Sequence, residues 1–217
     1  MSKQRVFLIA CFIFSSMTLV AQRLQFNQSF GLSGSGAKGI RGIAVKQTDT
    51  TLLTSNYSLT LLQFGIVYYP RIDFVSWKGG SFSIGSPLMA GASFTTKYHS
   101  TDYEAVTGKR DTVSGLSGAD FAFSVPVVVD LNIGLHAADD ESKQRFGLYV
   151  GAGYAYNYTR VNTTAGKVDY KGFESVVRGG IRMGRVWENR FTIGLNVRGV
   201  FENSKTKTYE LHLVKDL

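Results

Sequence analysis

The chain has 217 residues, of which 44% are hydrophobic and 18% charged, and its formal net charge is +8. These values fit a single folded domain and exclude a largely disordered chain. The basic residues are scattered and form no recognisable nucleic-acid-binding module. We therefore expect no nucleic-acid partner, and an anionic lipid surface is the better match to the charge.

The N-terminus has the three parts of a secretory signal peptide. Lys3 and Arg5 precede an apolar run at residues 6–20, which is followed by Ala21 and Gln22. Because this run is short and interrupted for a membrane span, we predict a cleaved signal peptide at residues 1–22 and a mature domain at residues 23–217. Two alternatives stay open: an uncleaved N-terminal anchor, and lipidation of Cys11. Cys11 is the only cysteine, so cleavage would leave a mature chain without disulfides or a thiol nucleophile.

Hydrophobic and other residues alternate along most of the mature sequence. A period of two places successive side chains on opposite faces of a β-strand. In chain order, this pattern predicts eight strands, at residues 24–32, 59–69, 82–94, 120–133, 146–158, 173–183, 191–201 and 208–214.

The third and fourth predicted strands each carry a proline on the polar face. Pro87 and Pro126 have no backbone N–H to donate, and proline within a sheet is normally confined to edges and bulges. A connection centred near residue 106 would bring the two prolines nearly opposite each other, so we predict a pair of local bulges there. Accommodation of the sheet's shape is a simpler explanation than a lateral opening for a lipid or a partner.

The fourth and fifth predicted strands alternate most clearly. Residues 120–133 read DFAFSVPVVVDLNI, and residues 146–158 read FGLYVGAGYAYNY. In the fifth strand an apolar face with aromatic ends opposes a face of small residues, and Gly147, Gly151 and Gly153 should leave room for arginines of the next strands. Residues 146–156 rise about 33 Å along the strand, or about 24 Å along the normal at a 45° tilt, which matches the apolar band of a membrane barrel.

The composition of the polar face separates a membrane barrel from a soluble one. A soluble barrel needs an outer face dense in Lys and Glu, whereas this polar face consists of Gly, Asn, Ser and a few charges that suit a crowded interior. A closed barrel also leaves no backbone group unpaired in lipid. The sequence therefore predicts an all-β protein, an eight-stranded antiparallel up-and-down transmembrane β-barrel of the cell outer membrane.

The lengths of the connections predict the orientation of this barrel. The connections after the odd-numbered predicted strands include the longest ones and are expected at residues 36–55, 95–117, 160–171 and 203–207. The connections after the even-numbered strands are mostly shorter and are expected at residues 70–80, 134–144 and 186–189. Long loops face outward in this class, which places both termini in the periplasm. Two of the expected outer loops contain the triplets Asp49-Thr50-Thr51 and Asp111-Thr112-Val113, which resemble short acceptor sites for O-glycosylation.

Four motifs carry a family resemblance: the leader end Ala21-Gln22, YYPRIDF at residues 68–74, SFSIGSPL at residues 81–88 and FSVPVVVDLNIG at residues 123–134. With them the sequence resembles the small eight-stranded outer-membrane β-barrel proteins of Gram-negative bacteria, particularly the Bacteroidota type, a porin-like class. The resemblance covers essentially the whole mature chain. It implies outer-membrane lipid and lipopolysaccharide, the barrel-assembly machinery and an unidentified protein as partners.

The charges on the predicted polar faces are the candidate site. They are Asp130, Glu174, Arg178, Arg182, Arg198, Glu202, Glu210 and His212. Because a buried charge is costly unless it is paired, we interpret them foremost as a salt-bridge network that fills the lumen, with Arg198 close to Glu210 or His212 and Arg178 close to Asn196 and Arg198.

Three functions remain open from the sequence. The favoured one is a non-catalytic structural or interaction role, exerted through extracellular loops or periplasmic turns. The alternatives are a narrow, anion-preferring channel lined by the arginines and an outer-membrane lipid-modifying enzyme. No catalytic, cofactor-binding or metal motif is evident, since three dispersed histidines suit neither a catalytic triad nor a metal site.

Overall fold

The computed structural model describes residues 24–47, 52–104, 107, 110–135, 145–163, 166–184, 190–199 and 206–217. The predicted signal peptide, Glu202 and the triplet Asp49-Thr50-Thr51 lie outside these residues. The strands are β1 (Gln25–Gln47), β2 (Leu52–Trp77), β3 (Gly80–Gly85), β4 (Leu88–Glu104), β5 (Arg110–Gly134), β6 (Phe146–Thr163), β7 (Gly166–Met183), β8 (Phe191–Arg198) and β9 (Lys207–Asp216).

The strands form one closed antiparallel sheet. Each strand pairs with its neighbours along the chain, except that β3 and β4 each pair with β2 and β5 and not with each other, and β1 pairs with β9 to close the ring. β3 and β4 lie end to end along β2, where Arg71 pairs with Gly85 and Tyr68 pairs with Leu88. Counted as one interrupted strand, they make an eight-stranded barrel, which confirms the predicted fold. Within the described residues no helix is long and apolar enough to cross a membrane.

The predicted inner and outer faces of the strands are also confirmed. On β9, Leu211 and Leu213 are 58% and 50% exposed, whereas Glu210 and His212 between them are 1% and 2% exposed. On β6, Leu148 and Val150 face outward and Tyr149 faces inward. An apolar outer surface around a polar interior is the arrangement that a barrel needs in lipid.

The barrel has two different ends. The terminal end, as we call it, carries the start of β1, the end of β9 and the β2–β3 turn, and the far end carries the β1–β2, β4–β5, β6–β7 and β8–β9 connections. At the terminal end, the turn expected at residues 70–80 is mostly strand and narrows to Lys78-Gly79, where Gly79 has a φ of 87°. Glycine is favoured in such a tight hairpin turn because the left-handed conformation costs it little.

The far-end connections differ most from expectation. Residues 36–55, 95–117 and 160–171 are largely strand and not loop, because β1, β2, β4, β5, β6 and β7 continue well past the apolar band. The Asp111-Thr112-Val113 triplet accordingly lies in β5. The prediction of loops is wrong, because a polar segment can form a regular strand. These segments are rich in Thr, Tyr and β-branched residues, which favour strands, and their pairing continues the registers of the barrel below.

The prolines interrupt one ladder without shifting its register. In the ladder that β3 and β4 form with β5, Gly85 pairs with Val128 and Met89 pairs with Ser124. The three residues between these pairs are unpaired on each strand of this ladder, and Pro87 faces Pro126. The predicted opposition is correct, but the predicted bulges are wrong. Two facing prolines remove both N–H donors of a pair, and no extra residue is needed to break the ladder.

Neighbouring groups satisfy part of the backbone at this proline gap. The Ser86 hydroxyl donates to the Pro126 carbonyl oxygen at 2.5 Å, and the Ser86 N–H donates to the Pro70 carbonyl oxygen at 3.0 Å. Pro70, the third of the chain's three prolines, therefore lies beside the same gap. The hydroxyl takes the place of a missing backbone donor, as a backbone group surrounded by lipid requires.

Candidate functional site: the charged lumen

The lumen holds seven of the eight residues that were predicted to form a charge network. All predicted residues that the structure describes are buried, at 9% exposure or less: Asp130, Glu174, Arg178, Arg182, Arg198, Glu210 and His212. They come from β5, β7, β8 and β9 and point inward because each occupies an inner position of its strand. They separate into two clusters along the barrel.

The terminal-end cluster is Tyr69, Asp130, Tyr149, Arg178 and Arg182. The Asp130 carboxylate accepts a short hydrogen bond from the Tyr69 hydroxyl, and its Oδ1 lies 3.7 Å from Nε of Arg178. The Arg178 guanidinium carbon lies 4.6 Å from the Tyr69 ring centre and 4.8 Å from that of Tyr149. The Arg182 guanidinium carbon lies 4.9 Å from the Tyr149 ring centre. Aromatic faces therefore provide much of the environment of both arginines.

Glycines make the space for the terminal-end cluster. A Cβ at Gly151 would collide with the Asp130 carboxylate, and one at Gly194 would collide with the Tyr149 hydroxyl and with the His212 ring. Arg178 pairs across the strands with Gly151. The side chains nearest to a Cβ at Gly151 or Gly194 are those of Asp130, Tyr149 and His212, whereas the sequence suggested arginines over the glycines of β6.

His212 is placed for packing and hydrogen bonding. Its Nε2 lies 3.0 Å from the Tyr149 hydroxyl. The structure also brings Ser33 opposite His212 across the β1–β9 ladder, a juxtaposition that sequence spacing did not reveal. However, neither Ser33 Oγ nor His212 Nδ1 makes a hydrogen bond to the described part of the chain. The structure therefore places Ser33 and His212 opposite each other without the hydrogen bond that joins an activated serine to its histidine.

The far-end cluster is Asn157, Glu174, Arg198 and Glu210, and hydrogen bonds connect its members. Arg198 donates to Glu210 in a short contact and, through Nη1, to Asn157 Oδ1 at 2.6 Å. Asn157 Nδ2 donates to Glu174 Oε2 at 2.9 Å. The Tyr170 hydroxyl donates to the other oxygen of Glu174 at 3.0 Å. Of the two partners that the sequence offered for Arg198, Glu210 and His212, the structure pairs it with Glu210.

A small space beside the far-end cluster shows how closely this half is filled. Its volume is about 20 Å³, which is close to the space needed by one water molecule. It is lined partly by Gln63, whose amide donates to Thr159 Oγ1 at 2.9 Å and accepts from Ser35 Oγ at 2.9 Å. Side chains from opposite walls therefore meet across the lumen.

Sequence reasoning missed a third ion pair, nearer the terminal end. Arg71 Nε lies 3.3 Å from Asp73 Oδ1, and Asn27 donates to the other Asp73 oxygen at 2.9 Å. The predicted strand ended at Tyr69 because Pro70 follows it. The signal was present nevertheless, since Tyr69, Arg71 and Asp73 keep the period of two that places them on the inner face.

The buried charges balance. Among the described buried side chains there are four arginines and four carboxylates: Arg71, Arg178, Arg182, Arg198, Asp73, Asp130, Glu174 and Glu210. Buried charges of one sign would be costly, whereas compensated and hydrogen-bonded charges can remain inside a protein. The arrangement is that of a filled lumen. In the described ranges no group of three or more His, Cys, Asp or Glu side chains is arranged to hold a metal ion.

Fold and lumen together define a class of protein. A closed antiparallel ring with an apolar outer band and a polar, packed interior is a transmembrane β-barrel, and barrels of this size belong to the outer membrane. The protein is an outer-membrane β-barrel protein.

Comparison with known proteins adds remote structural likenesses. No protein-family model matches the sequence, and no curated protein is detectably similar to it. The crystal structure of Ail, the attachment invasion locus protein of Yersinia pestis, in complex with the heparin analogue sucrose octasulfate, aligns with a TM-score of 0.47 and 10% identity over 90% of this chain and 100% of Ail. The outer membrane protein OprG from Pseudomonas aeruginosa aligns with a TM-score of 0.38 and 8% identity over 89% of this chain and 95% of OprG. Because both TM-scores are below 0.5, the classification as an outer-membrane β-barrel protein rests on the strand pairing of this chain and not on these likenesses.

Proposed function

We propose that this protein is a non-catalytic structural or interaction protein whose barrel is a closed scaffold and whose far-end hairpins meet the partner. The observation that carries the proposal is the contrast between a lumen filled by balanced charges and a rim raised by extended strands. A filled lumen suits a scaffold, and binding surfaces are commonly displayed at the ends of rigid scaffolds.

The far end faces the outside in this proposal. Long connections of outer-membrane barrels are extracellular and short turns are periplasmic. Here β1 and β2 reach Gln47 and Leu52 at the far end, whereas the β2–β3 turn at the terminal end is short. Both termini are then periplasmic, export depends on cleavage near residue 22, and insertion depends on the barrel-assembly machinery. A Bacteroidota source and an unidentified protein partner belong to the same proposal.

Site-specific photocrosslinking in producing cells tests this function. Ile43 is 66% exposed on the far-end part of β1, and Val129 is 46% exposed on the apolar band of β5. A photoreactive residue at position 43 should give a discrete crosslinked product of defined mass, whereas the matched lipid-facing residue at position 129 should not. Discrete products from Trp77 at the terminal end, with none from position 43 or from Thr101 on β4, would contradict the proposal.

One observation favours the narrow, anion-preferring channel as a second candidate. The Nη atoms of Arg178 and Arg182 make no hydrogen bond to the described part of the chain, although both side chains are buried. Guanidinium groups with free donors inside a barrel attract anions. A channel role predicts discrete anion-selective conductance by the purified protein, whereas the scaffold role predicts none.

A further inference from the structure

The outer surface carries basic side chains where β1, β2 and β4 leave the apolar band. Thr60 of β2 pairs with Lys38 on one side and with Lys97 on the other. In the next row toward the far end, Ser58 pairs with Arg41 and with His99. The side chains on either side of Thr60 and Ser58 are all exposed. We call these four residues the basic patch: Lys38, Arg41, Lys97 and His99.

The apolar band begins directly below the basic patch. In the next row toward the terminal end, Leu62 pairs with Gly36 and with Phe94. Leu62 and Phe94 are each 40% exposed, and Phe64 in the following row is 57% exposed. The basic side chains therefore stand where the headgroups of the outer leaflet meet the protein, and the apolar side chains stand where its acyl chains do.

The neighbours of the patch add positive charge. Lys207 of β9 lies directly opposite Lys38, and like charges directly opposite each other destabilise a strand pair. Lys207 donates to the Gly199 carbonyl oxygen, a neutral group. The carboxylate of Asp169, on the outer part of β7, is bonded to Arg160 of β6. A cluster of this kind is stabilised by an anion bound from outside.

We infer that the basic patch binds the phosphate groups of a phosphorylated outer-leaflet glycolipid of the lipid A type. The inference rests on the proposed function, because it takes the far end to be extracellular. Charge complementarity selects a polyanion, and the adjoining apolar rows select a lipid over a soluble polyanion, which has no acyl chains to lie on Leu62 and Phe64. An open groove of about 450 Å³ above the patch, lined in part by Arg41, Asn56 and His99, leaves room for a sugar headgroup.

The test compares two variants with the same loss of charge. One is Lys38→Gln/Arg41→Gln/Lys97→Gln. The control is Lys78→Gln/Arg145→Gln/Lys215→Gln, which removes three exposed basic side chains at the terminal end. Detergent-solubilised proteins are titrated with fluorescent bisphosphorylated lipid A and, separately, with the dephosphorylated lipid. We expect the patch variant to bind the bisphosphorylated lipid at least about tenfold more weakly, because each basic side chain near an anionic surface contributes about fivefold.

Equal weakening by the control variant, or equal binding of the dephosphorylated lipid by the wild-type protein, would overturn the inference. Native mass spectrometry of the wild-type protein with each lipid gives the same answer without any variant. Competition decides the class of ligand: inorganic phosphate or a soluble sulfated polysaccharide that binds the patch equally well would contradict a lipid site. The proposed function fails separately, since crosslinking from position 43 can be absent while lipid A binding is intact. Heat-dependent migration on gels verifies that every variant is folded.

Discussion

The two clusters in the lumen keep arginines inside the barrel in different ways. In the far-end cluster, the guanidinium group of Arg198 is bonded to a carboxylate and to the amide oxygen of Asn157. In the terminal-end cluster, the three nitrogens of Arg178 and both Nη atoms of Arg182 make no hydrogen bond to the described chain, and the groups lie over tyrosine rings.

Different contacts therefore hold the two halves of the lumen together. Hydrogen bonds to charged groups are directional, and loss of one partner leaves the other buried and uncompensated. Cation–π contacts tolerate changes of polar groups as long as the ring remains. We therefore expect the far-end cluster to be sensitive to removal of a single charge, and the terminal-end cluster to be sensitive to removal of an aromatic ring.

The largest effect should come from Glu210→Ala. This change leaves Arg198 buried without its carboxylate, which costs about 3–5 kcal/mol in the free energy of unfolding. Urea titration of the refolded barrel, followed by the loss of β-structure in circular dichroism, measures it. The double variant Arg198→Met/Glu210→Leu is the matched control, because it removes both charges at once. It should lie closer to the wild-type protein than Glu210→Ala does, and the reverse order would contradict the importance of the ion pair.

Substitution of Tyr149 should have a smaller effect that depends on the ring. Tyr149→Leu removes the aromatic face from both Arg178 and Arg182 and should cost about 2–4 kcal/mol, taking up to about 2 kcal/mol for each desolvated cation–π contact. Tyr149→Phe keeps the ring and loses the hydrogen bond to His212, which should cost about 1 kcal/mol. The same urea titration compares them. Equal losses for the two variants would show that the hydroxyl, and not the ring, stabilises the cluster.

Arg182→Met should change stability little. The change loses the contact between Arg182 and the Tyr149 ring. It also removes a buried charge whose Nη atoms make no hydrogen bond in the described chain, and methionine fills a similar volume without a charge to desolvate, which offsets that loss. We expect a change of less than about 1 kcal/mol, or a gain, in the free energy of unfolding. Arg198→Met provides the contrast, because it strands the Glu210 carboxylate. Losses of the same size in both variants would remove the distinction between the two clusters.

The exposed ion pair between Arg160 and Asp169 should have the smallest effect. Its Nε to Oδ1 distance is 2.8 Å, and both side chains are 42% exposed. The hydrogen bond from Arg160 lowers the pKa of the Asp169 carboxyl. The contribution of this ion pair to the free energy of unfolding is therefore complete above the pKa of Asp169 in the unfolded chain, about 3.9. It is lost as pH falls through the lower pKa of Asp169 in the folded protein. Asp169→Asn should leave protease resistance of the β6–β7 hairpin unchanged at pH 7, and a large loss there would contradict a solvent-screened pair.

The barrel and most of the charge network could be predicted from the sequence because both follow from a period of two. That period places Glu210 and His212 on one face and Leu211 and Leu213 on the other. Strand ends were less predictable. Pro70 and the polar segments at the far end resemble turns and loops, although the pairing of the barrel continues through them. For the same reason Arg71 and Asp73 were missed.

The internal geometry of the lumen could not be predicted, because it depends on which residues meet across the barrel. Tyr149 was assigned to the inner face, but its position over Gly194 follows only from the registers of β6, β7 and β8. The facing prolines show a similar limit. Their opposition follows from the length of the β4–β5 hairpin, whereas the unshifted register and the substitute donor Ser86 require the structure.

Single-channel recording in planar bilayers shows whether the balanced charges close the lumen. The refolded wild-type protein should give no discrete conductance steps. Heat-dependent gel migration verifies independently that the protein has inserted. Stable, anion-selective steps that disappear in Arg178→Met and Arg182→Met would contradict a filled lumen and establish the channel instead.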